Sequence, residues 1–426
     1  MLKKVQKLKH GLKGVITIPS DKSVSHRAVM FSSIAKGKCI IKNFSSGADC
    51  HSTLNIFKQL GVNIEFVEKK TLRIESAGKL NPSYKPLDAG NSGTTTRLIS
   101  GILAGQNFDS TIIGDESLSK RPMKRIIDPL TLMGAEIESV DGRLPLTIHG
   151  QKLHGIIYPS KLSSAQVKSC ILLAGLNAEG ETTYIEPCIS RNHTELLLDY
   201  LGADIKVNGN SVTIHPSELT GKNLEIIGDI SSAAFFIVAG LIIPNSDLII
   251  KNVGLNPTRS GIIDVVKRMN GQLEVLDEHT QSGEIAGNIK IQYSENLKGC
   301  TIEGKDIPRL IDELPVIAVL ASQAEGQTIV KNAEDLRNKE SDRIKCLVNE
   351  LTKIGIDITE TQDGFIINGK TDIIGDAELE SYHDHRLAMS FYIAGLIAEK
   401  EIGINGFEWT KISFPEFEEL VYQLIQ

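Results

Sequence analysis

The sequence has little of what several large classes of protein require. Aromatic residues make up 5% of its 426 residues, and Trp409 is its single tryptophan. The longest apolar run, Ala233 to Ile243, is too short to span a bilayer and ends at Pro244. A formal net charge of -7 argues against nucleic acid as a partner, because polyanions are bound by basic proteins. The composition therefore indicates neither a membrane protein nor a nucleic-acid-binding protein.

The cysteines and the N-terminus narrow the possibilities further. Six cysteines occur without CxxC spacing, which predicts reduced, mostly buried thiols and a cytoplasmic location. The basic stretch MLKKVQKLKHGLKG has no apolar core, so we do not expect a signal peptide. His383-Asp384-His385 has no further cysteine or histidine at metal-ligand spacing, and we therefore expect no metal site.

A pattern of helix and strand repeats along the chain. An Ala-rich helix with a polar start is followed by a β-rich stretch, and then by a second helix that ends at a glycine before another strand. We expect these glycines, at positions 61, 134, 202, 271 and 355, in the left-handed conformation. The polar starts are SDKSVSHRAVMF, GNSGTTTRLISGILAG, SSAQVKSCILLAGL, GDISSAAFFIVAGL, DELPVIAVLAS and HDHRLAMSFYIAGLIA. Six units of about 70 residues predict an α/β protein of two pseudo-symmetric halves, divided near residue 227.

Cations lie at several of these polar starts. Lys22, Arg27, Arg97, His385 and Arg386 fall at or just inside predicted helix N-termini, where the helix dipole favours negative charge. A cation placed there costs stability. The stretch DAGNSGTTTRL also gathers hydroxyl and backbone N–H groups at a helix start, which suits an anion but is common in ordinary helix caps. The repetition of the pattern favours a small anionic ligand.

Two segments of this acidic protein carry a local excess of positive charge. GDESLSKRPMKR and LRNKESDRIK each hold four Lys or Arg residues against two Asp or Glu residues. If the second segment is helical, Lys339 and Arg343 share a face, with Glu340 beside them. Either segment alone would suit a solvated helix with surface ion pairs, whereas two together favour an anion site. Asp312 precedes a helix with Pro315 in its first turn, a pattern that fits an N-cap and a general base about equally.

Ten motifs in order resemble the 5-enolpyruvylshikimate-3-phosphate synthase family, the 3-phosphoshikimate 1-carboxyvinyltransferases. They are SDKSVSHRA, GNSGTTTRL, GDESLSKRPM, SAQVKS, SRNHTE, NPTRSG, DELP, RNKESDR, DHRLAM and TKISFPEF. SAQVKS, RNHTE and NPTR are similar to the bacterial class II branch. The resemblance implies the enolpyruvyl transferase fold, with two pseudo-symmetric domains, each an inside-out α/β barrel of three βαβαββ-like repeats. One domain would cover residues 20–227, and the second residues 1–19 plus 228–426.

The resemblance also implies a reaction of aromatic amino acid biosynthesis, in the shikimate pathway. The enolpyruvyl group of phosphoenolpyruvate moves to the 5-hydroxyl of shikimate 3-phosphate, and phosphate is released. The implied catalytic residues are Asp312, Glu340 and Lys22. The implied phosphoenolpyruvate contacts are Lys22, Gly93, Arg121, Gln166, Arg343, Arg386 and Lys411. The implied shikimate 3-phosphate contacts are Lys22, Ser23, Arg27, Ser164, Gln166, Asp312, Lys339 and either Ser190 or Arg191.

Particular roles follow from the same resemblance. Asp312 resembles the base at the 5-hydroxyl, and Glu340 the group that gives a proton to the phosphoenolpyruvate methylene and takes it back. The second domain would carry both, and the first most shikimate 3-phosphate contacts. Ala165 stands where class I members have a second serine. Gly93 stands where glyphosate-tolerant members have alanine, so membership in a family that is a glyphosate target does not settle sensitivity.

Two alternative functions remain at this stage. UDP-N-acetylglucosamine enolpyruvyl transferases carry a cysteine in the loop that corresponds to GDESLSKRPM, but this chain has none between Cys50 and Cys170. A non-catalytic sugar-phosphate-binding protein would have no use for acid–base residues. The resemblance further implies a monomer without metal or organic cofactor. For Trp409 we expect only packing beneath the terminal segment.

Overall fold

The computed structural model describes residues 1–425, which form two compact units. The N-terminal unit consists of Ser20–Ile227 and Thr280–Glu284. Within the described residues, the C-terminal unit consists of Met1–Pro19, Gly228–His279 and residues 285–425. Among residues 1–425, no helix combines the length and the apolarity needed to cross a membrane.

Helices recur in pairs along both units. In chain order the α-helices are α1 (Lys22–Ile34), α2 (Ala48–Gln59), α3 (Gly93–Ala104), α4 (Glu116–Ser119), α5 (Lys124–Leu132), α6 (Ala165–Gly175), α7 (His193–Tyr200), α8 (Ile230–Ile242), α9 (Gly261–Arg268), α10 (Ile307–Leu310), α11 (Leu314–Ser322), α12 (Arg343–Lys353), α13 (His385–Gly395) and α14 (Phe417–Leu424). Short 3₁₀ helices cover Gly304–Asp306, Glu334–Asn338 and Phe407–Ile412. All six polar starts identified in the sequence begin helices, namely α1, α3, α6, α8, α11 and α13.

Strands separate the helices. In chain order they are β1 (Leu2–Val5), β2 (Lys13–Thr17), β3 (Lys36–Lys42), β4 (Asn63–Glu68), β5 (Thr71–Ala77), β6 (Leu87–Asp88), β7 (Ser110–Ile113), β8 (Glu136–Val140), β9 (Arg143–His149), β10 (Ile157–Pro159), β11 (Thr182–Ile185), β12 (Ile205–Asn208), β13 (Ser211–Ile214), β14 (Leu224–Glu225), β15 (Asp247–Gly254), β16 (Gln272–Gln281), β17 (Glu284–Gln292), β18 (Thr301–Ile302), β19 (Gly326–Val330), β20 (Ile358–Glu360), β21 (Phe365–Gly369), β22 (Ala377–Glu380) and β23 (Ile402–Asn405).

The sheets of the N-terminal unit share one arrangement. Each sheet has a short edge strand, called here the entry strand, which pairs in parallel with the strand after the first helix of a repeat. That second strand pairs antiparallel with the last strand of the repeat, as β10, β11 and β13 show. The strand after the second helix completes the sheet from the other side. The strand orders are β14-β3-β5-β4, β6-β7-β9-β8 and β10-β11-β13-β12. The last strand of the unit, β14, thus supplies the entry strand of the first sheet.

The C-terminal unit repeats this arrangement with one change. Its four-stranded sheets have the orders β16-β17-β15-β2 and β18-β19-β21-β20. Its third sheet, β1-β23-β22, has three strands, and β1 takes the position of the last strand of a repeat. The register there pairs Leu2 with Asn405. Two strands from the start of the chain therefore complete sheets built from its second half.

The first helix of each repeat is buried almost along its whole length, whereas the second helix is buried on one side only. Every residue of α8 is buried, as expected for a helix that is apolar on all sides. In α9, the second helix of the same repeat, Ile262, Val265 and Val266 are buried, whereas Asp264 and Lys267 are not. The predicted α/β class, with three repeats in each of two pseudo-symmetric units, is confirmed.

Glycines end most of the second helices as predicted, with one exception. Gly61, Gly134, Gly202 and Gly355 adopt φ angles of 86°, 95°, 94° and 93°. The prediction for Gly271 is wrong, because Asn270 takes the left-handed conformation there, with a φ of 61°. Asparagine tolerates this conformation better than most residues, so α9 ends one residue earlier than the glycine pattern suggests.

Candidate active site

Charged side chains gather at the start of α1 in the N-terminal unit. Asp21 caps the helix by accepting a hydrogen bond from the backbone N–H of Val24 at 2.8 Å. Lys22, the first residue of α1, donates to Asp49 Oδ2 at 2.7 Å. Asp49 lies on α2, so a carboxylate from a neighbouring helix offsets the cation at this helix start.

Arg27 lies deeper in α1 and is 3% exposed. Its Nε donates to Thr194 Oγ1 at 2.7 Å, and its Nη2 to Ser169 Oγ at 2.9 Å. Its Nη1 donates to the carbonyl of Ser23 at 3.0 Å. Burial lowers the pKa of Arg27 to about 10, although the Glu195 carboxylate raises it. The guanidinium is therefore still a cation at neutral pH, held in one orientation by α1, α6 and α7.

The start of α3 lies beside two guanidinium groups. Ser92 caps the helix by accepting from the backbone N–H of Thr95 at 3.1 Å. A Cβ atom on Gly93 would lie 3.0 Å from Arg97 Nη1 and 3.6 Å from Arg121 Nη1. A side chain at position 93 would thus crowd Arg97 and contact Arg121, whereas glycine permits close approach of another group.

Gln166, at the start of α6, links these cations to the α3 start. Its Oε1 accepts from Arg97 Nη1 at 2.6 Å, and its Nε2 donates to Thr94 Oγ1 at 3.1 Å. Arg121 Nη2 donates to Asn91 Oδ1 at 2.7 Å. The structure therefore brings Gly93, Arg121 and Gln166 into one cluster with Arg97.

The hydroxyl groups of Ser164 and Ser190 are already engaged. Ser164 caps α6 by accepting a backbone N–H at 3.5 Å. Ser190 is buried, and its Oγ donates to Glu186 Oε2 at 2.6 Å. Glu186 also pairs with the buried Lys168 at 2.8 Å. Arg191, the next residue, is half-buried.

The C-terminal unit surrounds one arginine with three carboxylates. Arg343 begins α12, and its side chain is 1% exposed. Its Nε donates to Asp384 Oδ2 at 2.7 Å, its Nη2 to Glu340 Oε2 at 2.6 Å and its Nη1 to Asp312 Oδ1 at 3.4 Å. Burial disfavours the charge, but the carboxylates of Asp384, Glu340 and Asp312 outweigh it and raise the pKa of Arg343 above its ordinary value. Both predicted acid–base carboxylates therefore contact one permanent cation.

Arg386 lies on the other side of Asp312. Its Nη1 donates to the Asp312 carbonyl at 3.2 Å, and its Nη2 is 4.0 Å from the Asp312 carboxylate. The fully buried Asp384 caps α13 and accepts the Arg386 backbone N–H at 2.9 Å. The N-cap residue of α11 is Glu313, which removes the N-cap interpretation of Asp312.

The segment around Lys339 is not one helix. The 3₁₀ helix Glu334–Asn338 ends before Lys339, whose backbone is extended, and α12 begins only at Arg343. The condition under which Lys339 and Arg343 would share a helix face is therefore not met. Lys339 instead pairs with Asp335 at 3.2 Å. The cap that Asp342 provides for α12 separates the two helices.

Lys411 and Trp409 share the 3₁₀ helix Phe407–Ile412. Lys411 is exposed, and within residues 1–425 its side chain has neither an ion pair nor a hydrogen bond. Trp409 is half-buried, and its ring centroid lies 4.7 Å from that of His383. The structure therefore does not bring Lys411 into the Arg343 cluster.

Several residues of these clusters were missed from the sequence. Asp49 lies 27 positions from Lys22, and no local pattern connects them. Asp384 was noted only as part of a possible metal motif, although an Asp before a helix start is an N-cap signal. Glu313 accepts hydrogen bonds from Ser231 and from Arg259 Nη1, the latter at 2.8 Å. Such long-range buried pairs have no periodicity that a sequence reveals.

The chemistry available to these clusters is proton transfer and anion binding. Guanidinium and ammonium groups bind phosphate and carboxylate, and Asp312 and Glu340 can exchange protons. Within residues 1–425, no group of three or more His, Cys, Asp or Glu side chains is arranged to hold a metal ion.

Comparison with known proteins identifies relatives along nearly the whole chain. The family model of EPSP synthase (3-phosphoshikimate 1-carboxyvinyltransferase) matches residues 7–421. A 3-phosphoshikimate 1-carboxyvinyltransferase of Thermoanaerobacter sp. (strain X514) is 52% identical over 414 residues, 96% of this chain and 97% of the relative. One from Brevibacillus brevis is 48% identical over 99% of this chain and 100% of its own length.

Solved structures agree with this comparison. EPSP synthase from Acinetobacter baumannii superposes with a TM-score of 0.91 at 44% identity, covering 99% of this chain and 98% of that chain. The enolpyruvyl transferase NikO from Streptomyces tendae, at 18% identity and a TM-score of 0.81, covers 99% and 97% and shows the shared fold alone. The predicted enolpyruvyl transferase fold is therefore confirmed, and the chain belongs to the EPSP synthase (3-phosphoshikimate 1-carboxyvinyltransferase) family.

Proposed function

We infer that this chain transfers the enolpyruvyl group of phosphoenolpyruvate to the 5-hydroxyl of shikimate 3-phosphate, giving 5-enolpyruvylshikimate 3-phosphate and phosphate in the shikimate pathway. Its relatives are named for this reaction. The observation that carries the proposal is the contact of Arg343 with both Asp312 and Glu340. It places two proton-transfer groups against a cation that can stabilise developing negative charge.

We propose the following division of proton transfer. Asp312 accepts the proton of the 5-hydroxyl as its oxygen bonds to C2 of phosphoenolpyruvate, and Glu340, assisted by Lys22, donates a proton to the methylene carbon. The tetrahedral adduct then loses phosphate from C2 and the added proton from the former methylene carbon, which restores the double bond. Two carboxylates beside one buried guanidinium support this assignment.

We propose the phosphoenolpyruvate contacts from the geometry at helix starts and from the family motifs. Gly93 lies close to the guanidinium groups of Arg97 and Arg121, and Arg386 lies next to Asp312. The proposed set is Lys22, Gly93, Arg121, Gln166, Arg343, Arg386 and Lys411. Lys411 is the least supported by geometry, because it is exposed and lies apart from the Arg343 cluster.

We propose that shikimate 3-phosphate is bound mainly by the N-terminal unit and that the C-terminal unit supplies the acid–base groups. The proposed contacts are Lys22, Ser23, Arg27, Ser164, Gln166, Asp312 and Lys339, with Arg191 preferred over Ser190. The preference follows from the Ser190 hydroxyl, which already donates its proton to Glu186 and cannot also donate it to a phosphate.

The choice between the two neighbours can be measured. Replacing Arg191→Gln should raise the KM for shikimate 3-phosphate about tenfold or more, because a charge-assisted phosphate contact is lost. Ser190→Ala should change that KM less than Arg191→Gln and lower the melting temperature, since the buried Glu186 loses a donor. Steady-state kinetics with the reverse order of KM effects would assign the phosphate to Ser190.

A phosphate-release assay tests the function itself. We expect phosphate when phosphoenolpyruvate and shikimate 3-phosphate are both present, and none when either is omitted. Phosphate release only with UDP-N-acetylglucosamine as acceptor would favour the other enolpyruvyl transfer reaction. No release with either acceptor would favour a non-catalytic sugar-phosphate-binding protein. The full-length identity to named 3-phosphoshikimate 1-carboxyvinyltransferases disfavours both.

We further propose a cytoplasmic, monomeric enzyme that needs no metal or organic cofactor. The proposed chemistry requires only side chains and the two substrates. All six cysteines, including the exposed Cys188, are free thiols, which suits a reducing compartment. Sedimentation velocity that gives a mass near 46.5 kDa would support the monomer, and twice that mass would refute it.

A further inference from the structure

The turn Ser381–Asp384 connects β22 to α13 through an unusual backbone. Tyr382 and His383 adopt φ angles of 54° and 60°, so two successive bulky residues lie in the left-handed region. This region is unfavourable for most residues other than glycine, and Tyr, unlike His, is not among the types enriched there. Such a conformation persists only where surrounding contacts hold it, and it is concentrated at functional sites.

A buried carboxylate holds the first of these residues. The Tyr382 hydroxyl donates to Glu350 Oε1 at 2.7 Å, and the Glu350 side chain is 0% exposed. Burial and the Glu350 carboxylate raise the pKa of Tyr382, so the hydroxyl remains a donor. Glu350 is itself fixed by Lys353 Nζ at 2.7 Å and by the backbone N–H of Glu380 at 2.9 Å. The turn is thereby tied to α12, the helix that begins with Arg343.

Contacts with the segment that leads to Lys411 hold the rest of the turn. The ring of His383 lies against that of Trp409, and Ser381 Oγ donates to the carbonyl of Gly406 at 3.2 Å. Gly406 has a φ of 75°, and a Cβ atom there would overlap Ser381 Oγ and press on the Trp409 ring. The turn therefore packs closely against the start of the 3₁₀ helix that carries Trp409 and Lys411.

The end of the turn sets the positions of two arginines. The Asp384 backbone N–H donates to the Ser381 carbonyl at 2.9 Å, which closes the turn. The Asp384 carboxylate then accepts Arg343 Nε at 2.7 Å and the Arg386 backbone N–H at 2.9 Å. A change in the turn would thus move the carboxylate that orients Arg343 and the helix start that carries Arg386.

We propose that Tyr382 and Trp409 are positioning residues for phosphoenolpyruvate: Tyr382 holds the strained turn that places Asp384, Arg343 and Arg386, and Trp409 joins that turn to the segment of Lys411. The inference rests on the proposed function, because it assigns these cations to phosphoenolpyruvate. Neither Tyr382 nor Trp409 touches the reacting atoms; each acts through the residues it holds.

The substitution Tyr382→Phe tests the first part by removing one hydroxyl group. We expect the KM for phosphoenolpyruvate to rise about tenfold, with less than a twofold change in the KM for shikimate 3-phosphate. The matched control is Tyr422→Phe on α14, which removes a Tyr–Glu hydrogen bond of 2.8 Å outside the clusters and should leave both KM values unchanged. Wild-type KM values in Tyr382→Phe, or an equal rise in both, would overturn the role of Tyr382.

Trp409, the single tryptophan, gives an independent readout. Trp409→Leu removes the ring beside His383 and should raise the phosphoenolpyruvate KM, whereas Trp409→Phe keeps a ring and should largely restore it. In the wild-type protein, phosphoenolpyruvate titrated with shikimate 3-phosphate present should change the tryptophan emission, with the change half-complete at higher concentration in Tyr382→Phe. Equal kinetics in the Leu and Phe variants, or an unchanged emission, would overturn the role of Trp409.

These outcomes separate the inference from the function on which it rests. A wild-type protein that releases no phosphate from the two substrates refutes the proposed function. An active wild-type protein whose variants keep wild-type KM values refutes only the positioning roles. If Tyr382→Phe does not fold, Tyr382→Asn removes the hydroxyl in a residue that tolerates the left-handed backbone, and the same KM comparison decides.

Discussion

At the scale of single residues, the clearest kinetic effect is expected from a substitution of Asp312. Replacing Asp312→Asn keeps the side-chain volume but removes the charge that would accept the 5-hydroxyl proton. We expect kcat to fall by about 10²–10⁴-fold, the usual contribution of general base catalysis. The melting temperature should change little, because Asp312 is not the N-cap of α11 and the buried Arg343 keeps its shorter contacts with Asp384 and Glu340.

The control for this substitution is Asp264→Asn. Asp264 lies on α9 of the same unit and pairs with Arg309 at 2.7 Å at the surface, so its loss should leave kcat unchanged. A fall of several degrees in the melting temperature of Asp312→Asn, with a modest loss of kcat, would mean that Asp312 is structural. Thermal unfolding and steady-state kinetics on the two variants provide the comparison.

A substitution of Gly93 is also expected to change the kinetics. In Gly93→Ala the new methyl group would lie 3.0 Å from Arg97 Nη1, so the guanidinium must move or the space beside it must shrink. We expect the KM for phosphoenolpyruvate to rise severalfold, with an unchanged KM for shikimate 3-phosphate. Gly105→Ala is the control, because its methyl group would meet only ordinary contacts, the nearest at 3.6 Å. Equal kinetics for Gly93→Ala and wild type would remove Gly93 from the proposed contacts.

At the scale of helices and strands, the sequence predicts starts better than ends. Each polar start is followed by an apolar, Ala-rich run. In five of the six helices a side-chain N-cap and burial agree, whereas α11 forms without a side-chain cap. The end of α9 was misplaced because Asn270 can do what glycine usually does. Residues 336–345 fit helical spacing but form no single helix, because Asp342 caps α12 in the middle of this charged run. Where two such local signals lie within a few residues of each other, tertiary contacts determine which of them sets the helix boundary.

A buried chain of hydrogen bonds links three helices of the N-terminal unit. His26 Nδ1 bonds Thr53 Oγ1 at 2.7 Å, Thr53 bonds Thr95 at 2.7 Å, and Thr95 donates to Ser92 Oγ at 2.7 Å. Burial lowers the pKa of His26 from 6.5 to about 3. Between pH 6.5 and 3, His26 binds a proton in the unfolded chain but not in the folded chain. The free energy of unfolding therefore decreases from its value above pH 6.5 as the pH falls.

The pH dependence of stability tests this chain. In the window between pH 6.5 and 3, His26 should contribute a loss of about 1.4 kcal/mol in the free energy of unfolding per pH unit lowered. His26→Gln should show a shallower slope, measured by denaturant unfolding at several pH values. His10→Gln, at an exposed position, serves as control and should keep the wild-type slope. Identical slopes for His26→Gln and wild type would contradict a neutral buried imidazole.

At the scale of the whole molecule, the six repeats and the family were visible in the sequence, and the family resemblance placed residues 1–19 with the second half, but individual strand pairings were not visible. Repetition of similar segments predicts similar sheets, because each repeat has the same order of apolar strand and helix. Nothing local indicates that β1 pairs with β23 or β2 with β15. Nor does a pattern assign Thr280–Glu284, the tip that joins β16 to β17, to the N-terminal unit.

Strand β1 can be tested by comparing two valines. Val5 is 3% exposed and packs against Gly395, so Val5→Ala should lower the free energy of unfolding by about 2 kcal/mol. Val15, on β2, is 48% exposed, and Val15→Ala should cost less than about 0.5 kcal/mol. Denaturant unfolding that shows equal small losses for both would mean that β1 contributes little to its sheet.

The pairing of Leu2 with Asn405 also orders events during synthesis. Most of the N-terminal unit, Ser20–Ile227, is complete before the ribosome has translated the partners of β1 and β2. Domains generally become compact as they emerge from the ribosome. This stretch should therefore fold while the strands of the segment Met1–Pro19 are still unpaired. The segment Met1–Pro19 therefore finds its last partner late in synthesis, and a nascent chain stopped before β23 should leave β1 open to proteases.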